Sequence, residues 1–72
     1  MPFVAGLTPR EVDVLQRVAR GSTTKEIGAA LGLSPKTVDN HIQSIYGKLE
    51  VRTRGGATLF AMEHGLLRPG QN

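Results

Sequence analysis

Apolar residues along the chain recur at intervals of three and four, the spacing that places side chains on one face of an α-helix. The clearest stripe consists of Val38, Ile42, Ile45 and Leu49. Shorter stripes precede and follow it, and typical helix-ending residues separate them. The pattern predicts an all-α fold of four short helices. They are expected over about residues 9–20, 24–31, 35–49 and 54–64.

The predicted helices begin at residues that favour helix starts. Thr8 and Thr23 each precede a glutamate by three residues, the capping-box spacing that satisfies two free backbone N–H groups reciprocally. Ser34 precedes Pro35, and proline suits a first helical position because its missing N–H would be unpaired there. Thr53 precedes the fourth helix. Glycines that favour helix ends follow at positions 21, 32 and 65.

The inward faces of the other helices predict a small apolar core. Those faces consist of Val12, Leu15, Val18 and Ala19, then Ile27, Ala30 and Leu31, and finally Ala57, Phe60, Ala61 and His64. Leu66 and Leu67 are expected to fold back onto this core. Gly28 lies in mid-helix, where glycine costs about 0.5–1 kcal/mol relative to alanine. Its presence there indicates close packing against the next helix.

Composition limits the class of protein further. The 72 residues make at most one domain, near the lower size limit for a free-standing core. Residues 1–6 and 68–72 show no periodicity and are predicted to be loose ends of a domain at 7–67. There is no cysteine, no apolar run of membrane-spanning length and no signal peptide. The formal charge of +3 permits a polyanionic partner.

The polar face of the third helix carries the candidate chemistry. Opposite its apolar stripe lie Lys36, Asn40, Gln43 and Gly47. One flank consists of Thr37, His41, Ser44 and Lys48, and Asp39 lies on the other. Asn and Gln pair bidentately with adenine, Asp accepts from cytosine N4, and the flanking residue types suit phosphate contacts.

Two readings of this face compete. In most amphipathic helices a polar stripe is only a solvated surface. Here, however, the turn "LGLS" joins the second and third helices as in a helix-turn-helix, whose second helix lies in the DNA major groove. Turn, caps and DNA-suited side chains agree in one segment, which favours DNA binding. An enzyme is not expected, because His41, His64, Asp39 and Glu63 form no nucleophile–base or metal constellation.

The chain also resembles the LuxR/GerE-type helix-turn-helix domains of bacterial transcription regulators. The matching pieces span roughly residues 7–67. They are "LTPRE" (7–11), Val14-Leu15, Gly21, "KEI" (25–27), "LGLSPKTV" (31–38), His41, "KLEV" (48–51), Arg54, Ala57 and "GLL" (65–67). "HIQSIYGKLEV" and "LFAMEHGLL" look particularly like actinobacterial members. The resemblance implies a four-helix domain that binds double-stranded DNA and ends a longer regulator.

The resemblance also implies roles for residues. Base contacts are expected from Asp39, Asn40 and Gln43. Backbone contacts are expected from Lys25, Lys36, Thr37, His41 and Lys48, to which we add Ser44 and Arg54. The resemblance implies homodimers on inverted promoter repeats, paired through the fourth helix. Thr58, Leu59 and Met62 lie on the outer face of that helix, and because this patch is small we expect pairing to be weak in isolation. RNA polymerase is a further expected partner, the expected location is the bacterial cytoplasm, and no cofactor, metal or membrane contact is expected.

Two features depart from the family pattern, and two other functions stay open. The position of Asp39 is commonly basic in the family, and "RGG" (54–56) puts two glycines in the first turn of the fourth helix. The alternatives are a sigma-factor region-four-like promoter reader and a protein-interaction module that has kept the fold. We expect the chain to be a fragment of a larger regulator rather than a stand-alone domain.

Overall fold

The computed structural model describes residues 5–67. Four helices follow one another: α1 (Pro9–Ala19), α2 (Thr24–Leu31), α3 (Pro35–Leu49) and α4 (Arg54–Glu63). The predicted all-α class is confirmed, and residues 5–67 contain no strand. α1 and α4 end one residue earlier than predicted, with Arg20 and His64 as their C-caps. The expected loose ends fall largely outside the described residues.

The predicted caps are confirmed as hydrogen bonds. The Thr8 hydroxyl accepts from the Glu11 N–H at 3.1 Å, and the Glu11 carboxylate accepts from the Thr8 N–H at 2.9 Å. Thr23 and Glu26 repeat this box at α2. At α3 and α4 the hydroxyls of Ser34 and Thr53 accept from the N–H groups of Thr37 and Gly56, without a reciprocal glutamate. Each cap contributes about 1 kcal/mol to helix stability, which matters for helices of only 8 to 15 residues.

The core lies where α1 packs against the other three helices. Its buried members are Leu7, Val14, Leu15, Val18, Ile27, Val38, Ile45, Leu49, Ala57, Ala61 and Leu67. The prediction of an inward position is wrong for two residues. Ala30 is exposed on α2, and His64 is exposed beyond the end of α4. Val14, which the helical spacing did not include in the inward face of α1, is fully buried, whereas Val12 is only partly buried. Tertiary packing from three sides therefore widens the buried face of α1.

The turn between α2 and α3 fixes where α3 begins. Gly32 ends α2 in the left-handed conformation at φ +72°, as its position in the sequence predicted. Only two residues, Leu33 and Ser34, separate it from the first residue of α3. At the other end of α3, Glu50 adopts a left-handed φ of +57° and ends the helix. α3 thus has sharply defined limits on both sides.

The segment after α4 returns to the core, as expected for Leu66 and Leu67. Gly65 turns the chain at φ +72°, and the Leu66 N–H donates to the Ala61 carbonyl oxygen at 2.8 Å. The Gln16 side-chain amide on α1 donates to the Leu66 carbonyl oxygen at 3.1 Å. Gly56, one of the two unusual glycines of α4, lies half-buried against the Val51 side chain. In the described part of the chain, no helix is long and apolar enough to cross a membrane.

Candidate nucleic-acid interface

The solvent-facing side of α3 is polar along its whole length. Lys36, Asn40, Gln43 and Gly47 are all exposed, opposite the buried apolar stripe. Asp39 is exposed beside Asn40, and no cation within residues 5–67 forms an ion pair with it. At 1.5 Å per residue, Asp39 to Gln43 spans about 6 Å along the helix axis, about two base-pair steps. We call Asp39, Asn40 and Gln43 the reading face.

Two lysines lie at the N-terminal ends of helices. Lys25 is the second residue of α2 and Lys36 is the second residue of α3, and both are exposed. A cation there opposes the positive pole of the helix dipole and costs local stability. In this part of the chain neither lysine has an ion-pair partner. Helix stability therefore does not explain these two lysines, whereas a nearby polyanion would.

Thr37 and His41 occupy the flank of α3 beside the reading face, and both are half-buried. The Thr37 hydroxyl lies 2.9 Å from the Ser34 hydroxyl, which itself accepts from the Thr37 N–H at 3.1 Å. Thr37 therefore belongs to the cap of α3 as well as to its surface. Both residues remain candidates for phosphate contacts at the N-terminal half of the helix.

Ser44 and Lys48, placed on the same flank by the sequence, bind within the protein. The Ser44 hydroxyl donates to Glu11 Oε2 at 2.7 Å, and Lys48 Nζ donates to Glu11 Oε1 at 2.6 Å. Lys48 Nζ also donates to the Gly6 carbonyl oxygen at 3.3 Å. The C-terminal half of this flank thus faces α1. The expected DNA contacts of both residues have no support in the free domain.

Arg54 is likewise engaged inside the fold. Its Nη2 donates to the Val18 carbonyl oxygen at 2.8 Å and to the Ser22 carbonyl oxygen. These acceptors lie at the end of α1 and in the turn that follows it. Arg54 therefore ties the start of α4 to the α1–α2 connection. Its expected phosphate contact stays a prediction, and the structure gives it a structural role.

Glu11 is the buried charge that sequence reasoning treated only as a capping residue. Its side chain is 6% exposed. Burial raises the pKa of this carboxyl, but hydrogen bonds from Lys48, the Thr8 N–H and Ser44, with the charge of Lys48, outweigh it. The pKa of Glu11 is lowered from 4.5 to about 2. Glu11 is thus a carboxylate at neutral pH, neutralised by one lysine of α3.

The outer face of α4 carries the candidate pairing surface. Leu59 is 56% exposed and Met62 is 44% exposed, and they are the exposed large hydrophobic residues among those described. Thr58, the third expected pairing residue, is half-buried, and its hydroxyl donates to the Arg54 carbonyl oxygen at 2.9 Å. The Phe60 and His64 rings stack nearby, with their centroids 3.9 Å apart.

Comparison with known proteins assigns the family. Residues 5–61 match the family described as GerE, bacterial regulatory proteins of the luxR family. The chain belongs to this family.

Within the described residues, no three His, Asp or Glu side chains are grouped so that they could bind a metal ion. The luxR-family domain is a DNA-binding domain of the transcription-regulator type, and the family assignment confirms the prediction that it is not an enzyme.

Individual relatives agree with this assignment. The "Uncharacterized transcriptional regulatory protein YhcZ" of Bacillus subtilis is 50% identical over 60 residues, which cover 83% of this chain. "Response regulator protein VraR" of Staphylococcus aureus is 39% identical over 62 residues, which cover 86% of this chain. The matched region spans 28% and 30% of these two relatives. The luxR-family domain therefore corresponds to less than a third of either protein.

Proposed function

We propose that the luxR-family domain binds double-stranded DNA sequence-specifically, with α3 in the major groove. The observation that carries this proposal is the reading face: two amides and one carboxylate on consecutive turns of an exposed helix surface that forms no ion pair within residues 5–67. Asn40 and Gln43 suit the N6 and N7 edge of adenine, and Asp39 suits the N4 amino group of cytosine. Exposed Gly47 lets the helix approach the groove without a side chain in between.

Phosphate contacts would orient α3 on the duplex. Lys25 and Lys36 place two charges at the N-terminal ends of α2 and α3, and neither forms an ion pair in the part of the chain that the structure describes. Thr37 and His41 lie beside Lys36 on the adjoining flank of α3. Such contacts fix the register of the helix but carry no sequence information directly. Affinity should therefore fall steeply as salt is added.

The wider role proposed is that of the effector domain of a bacterial transcription regulator. The names of YhcZ and VraR describe a transcriptional regulatory protein and a response regulator. We propose that two copies bind an inverted repeat in a promoter, paired through α4, and that the bound regulator acts on RNA polymerase. The family match speaks against the sigma-factor alternative, and the protein-interaction alternative is decided by the DNA-binding test below.

Binding-site selection from random duplex DNA tests the core of the proposal. We expect enrichment of a short site, which is then used for affinity measurements beside a scrambled duplex. Asn40→Ala should weaken the selected site by about 1–3 kcal/mol and the scrambled duplex little, because it removes a base contact. Lys36→Ala, the matched control on the same helix, should weaken both duplexes alike and reduce the salt slope by about one unit.

Two results would contradict this function. If Asn40→Ala weakens selected and scrambled DNA equally, the reading face does not read bases. If the wild-type chain binds no duplex even at low salt, the proposed function is wrong, and the protein-interaction alternative is the one that is left. The circular dichroism spectrum of each variant is compared with that of the wild type, so that loss of binding is not confused with loss of structure.

A further inference from the structure

One carboxylate of α1 contacts two successive turns of the helix proposed to recognise DNA. Glu11 Oε2 accepts from Ser44 at 2.7 Å, and Oε1 accepts from Lys48 at 2.6 Å. Ser44 and Lys48 are four residues apart, so they lie one above the other on α3. Oε1 also accepts from the Thr8 N–H at 2.9 Å and so closes the capping box. The cap of α1 and the C-terminal half of α3 thus share a single buried anion.

We propose that Glu11 is a positioning residue for α3: it binds Ser44 and Lys48, and it keeps the Lys48 charge from contributing to phosphate binding. This inference rests on the proposed function, because it concerns how α3 meets DNA. It removes two residues from the expected backbone contacts. Ser44 and Lys48 instead fix the rotation of α3 about its axis, and therefore the direction of the reading face.

The charge argument follows from burial. The Glu11 side chain is 6% exposed, whereas that of Lys48 is 37% exposed. Transfer of Lys48 to a phosphate would leave a buried carboxylate without its counter-charge, which is strongly unfavourable. As long as the pair stays intact, its net charge is zero, and it releases no counterion from DNA. Lys48 should therefore behave unlike every unpaired lysine of the DNA-facing surface.

Lys36 supplies the comparison within the same helix. It is exposed, and none of its neighbours within residues 5–67 is an ion-pair partner. Lys36 extends into solvent, whereas Lys48 reaches back to the Glu11 carboxylate of α1, which neutralises its charge. Replacement of each lysine by a neutral residue therefore shows whether its charge interacts with DNA phosphate or with a carboxylate inside the protein.

The test measures the salt dependence of binding to the selected duplex and a scrambled duplex. Lys36→Gln should reduce the slope of log affinity against log salt by about one unit, whereas Lys48→Gln should leave that slope unchanged. Lys48→Gln should instead lower the ratio of selected to scrambled affinity several-fold, because α3 is less firmly oriented. Glu11→Gln keeps the capping box but frees Lys48. Glu11→Gln should therefore make the salt dependence steeper by about one unit of slope and strengthen scrambled-DNA binding at low salt.

Either of two outcomes overturns the inference: Lys48→Gln reduces the slope as much as Lys36→Gln, or folded Glu11→Gln leaves it unchanged. If Glu11→Gln is unfolded, the two lysine variants decide alone. A titration of the Glu11 carboxyl by NMR, without DNA, isolates the contact itself from the proposed function. Lys48→Gln should move its midpoint up toward the ordinary value, and an unmoved midpoint also overturns the inference.

Discussion

Gly28 lies so close to Leu33 that a Cβ atom on Gly28 would overlap the Leu33 carbonyl oxygen. The Leu33 N–H donates to the Gly28 carbonyl oxygen at 2.9 Å, so both the N–H and the carbonyl group of Leu33 lie against Gly28. Leu33 lies in the turn between α2 and α3. The sequence predicted close packing at Gly28 against the next helix. The structure assigns the contact to the turn that leads into that helix.

This contact predicts that Gly28→Ala destabilises the domain by about 2 kcal/mol or more, since backbone must shift to admit the methyl group. Gly47→Ala is the matched control, because Gly47 is also helical but has nothing within 4 Å of an added Cβ. That variant should be more stable by about 0.5–1 kcal/mol. Urea unfolding followed by circular dichroism measures both. Equal stabilisation by the two alanines would show that the turn adapts freely.

Local signals explain why so much of the fold could be predicted. The capping boxes at Thr8 and Thr23 and the left-handed Gly32 involve residues within a few positions of one another, so spacing alone reveals them. The exposed reading face follows from helical periodicity in the same way. These features depend on the geometry of one helix or one turn. They do not require knowledge of how the helices pack.

Contacts between distant residues could not be predicted. Glu11 and Ser44 are 33 positions apart, and Arg54 and Val18 are 36 apart. In the sequence, Ser44, Lys48 and Arg54 are polar residues that suit phosphate, and nothing local shows that a buried carboxylate or free helix carbonyls will bind them first. Ala30 was misplaced for a related reason, because the face that α2 buries is set by its neighbours. The only sequence feature that pointed to Glu11 was its spacing from Thr8. That spacing predicts the helix cap but not the contacts with Ser44 and Lys48.

The lowered pKa of Glu11 predicts acid sensitivity. Its folded-state pKa of about 2 lies below the usual 4.5, so the folded protein binds fewer protons than the unfolded chain between these values. Stability is then fully present above about pH 5 and falls as the pH drops toward 2. Glu11 should contribute about 1–3 kcal/mol at neutral pH. Urea unfolding at a series of pH values measures this, and Glu11→Gln should flatten the profile.

Glu63→Gln is the control for this pH dependence. Glu63 is an exposed carboxylate at the end of α4, and within residues 5–67 it forms no ion pair. Its replacement should change the pH profile little. If Glu11→Gln and the wild type lose the same stability between neutral and acid pH, the carboxylate of Glu11 does not stabilise the fold through its charge.

The negative charge of Asp39 is expected to lower the affinity of the domain for non-specific DNA. An exposed acid on the surface proposed to meet DNA repels phosphate. Asp39→Lys changes the local charge by two units and should raise scrambled-DNA affinity at low salt. If Asp39 accepts from a cytosine N4 group, the ratio of selected to scrambled affinity falls at the same time. Asp39→Asn separates the two effects, because it removes the charge without adding a cation.

The two affinities in that experiment carry different information. Higher scrambled-DNA affinity with an unchanged ratio would mean that Asp39 only weakens binding through its charge. A selected site without cytosine opposite this position would lead to the same conclusion. No increase in scrambled-DNA affinity for Asp39→Lys would contradict the orientation of α3 itself, because the residue would then lie away from the duplex.

Leu59 and Met62 predict that pairing through α4 depends on DNA. They lie three residues apart on the outer face of α4, at 56% and 44% exposure, and this small apolar patch falls well below the area of a stable interface. The free chain should therefore sediment as a monomer or weak dimer. A duplex with two half-sites about one helical turn apart places two copies together, which raises their effective concentration.

Leu59→Asp and Met62→Asp test this surface, since each buries an unpaired charge if two α4 helices meet. We expect each variant to bind two half-sites about tenfold or more weaker than the wild type, through lost cooperativity. Affinity for a single half-site is the control, and it should hardly change because the reading face is untouched. Thr58→Ala should have a small effect, since the Thr58 hydroxyl already donates to Arg54 within α4. Undiminished cooperativity in both aspartate variants would place the pairing surface elsewhere on the domain.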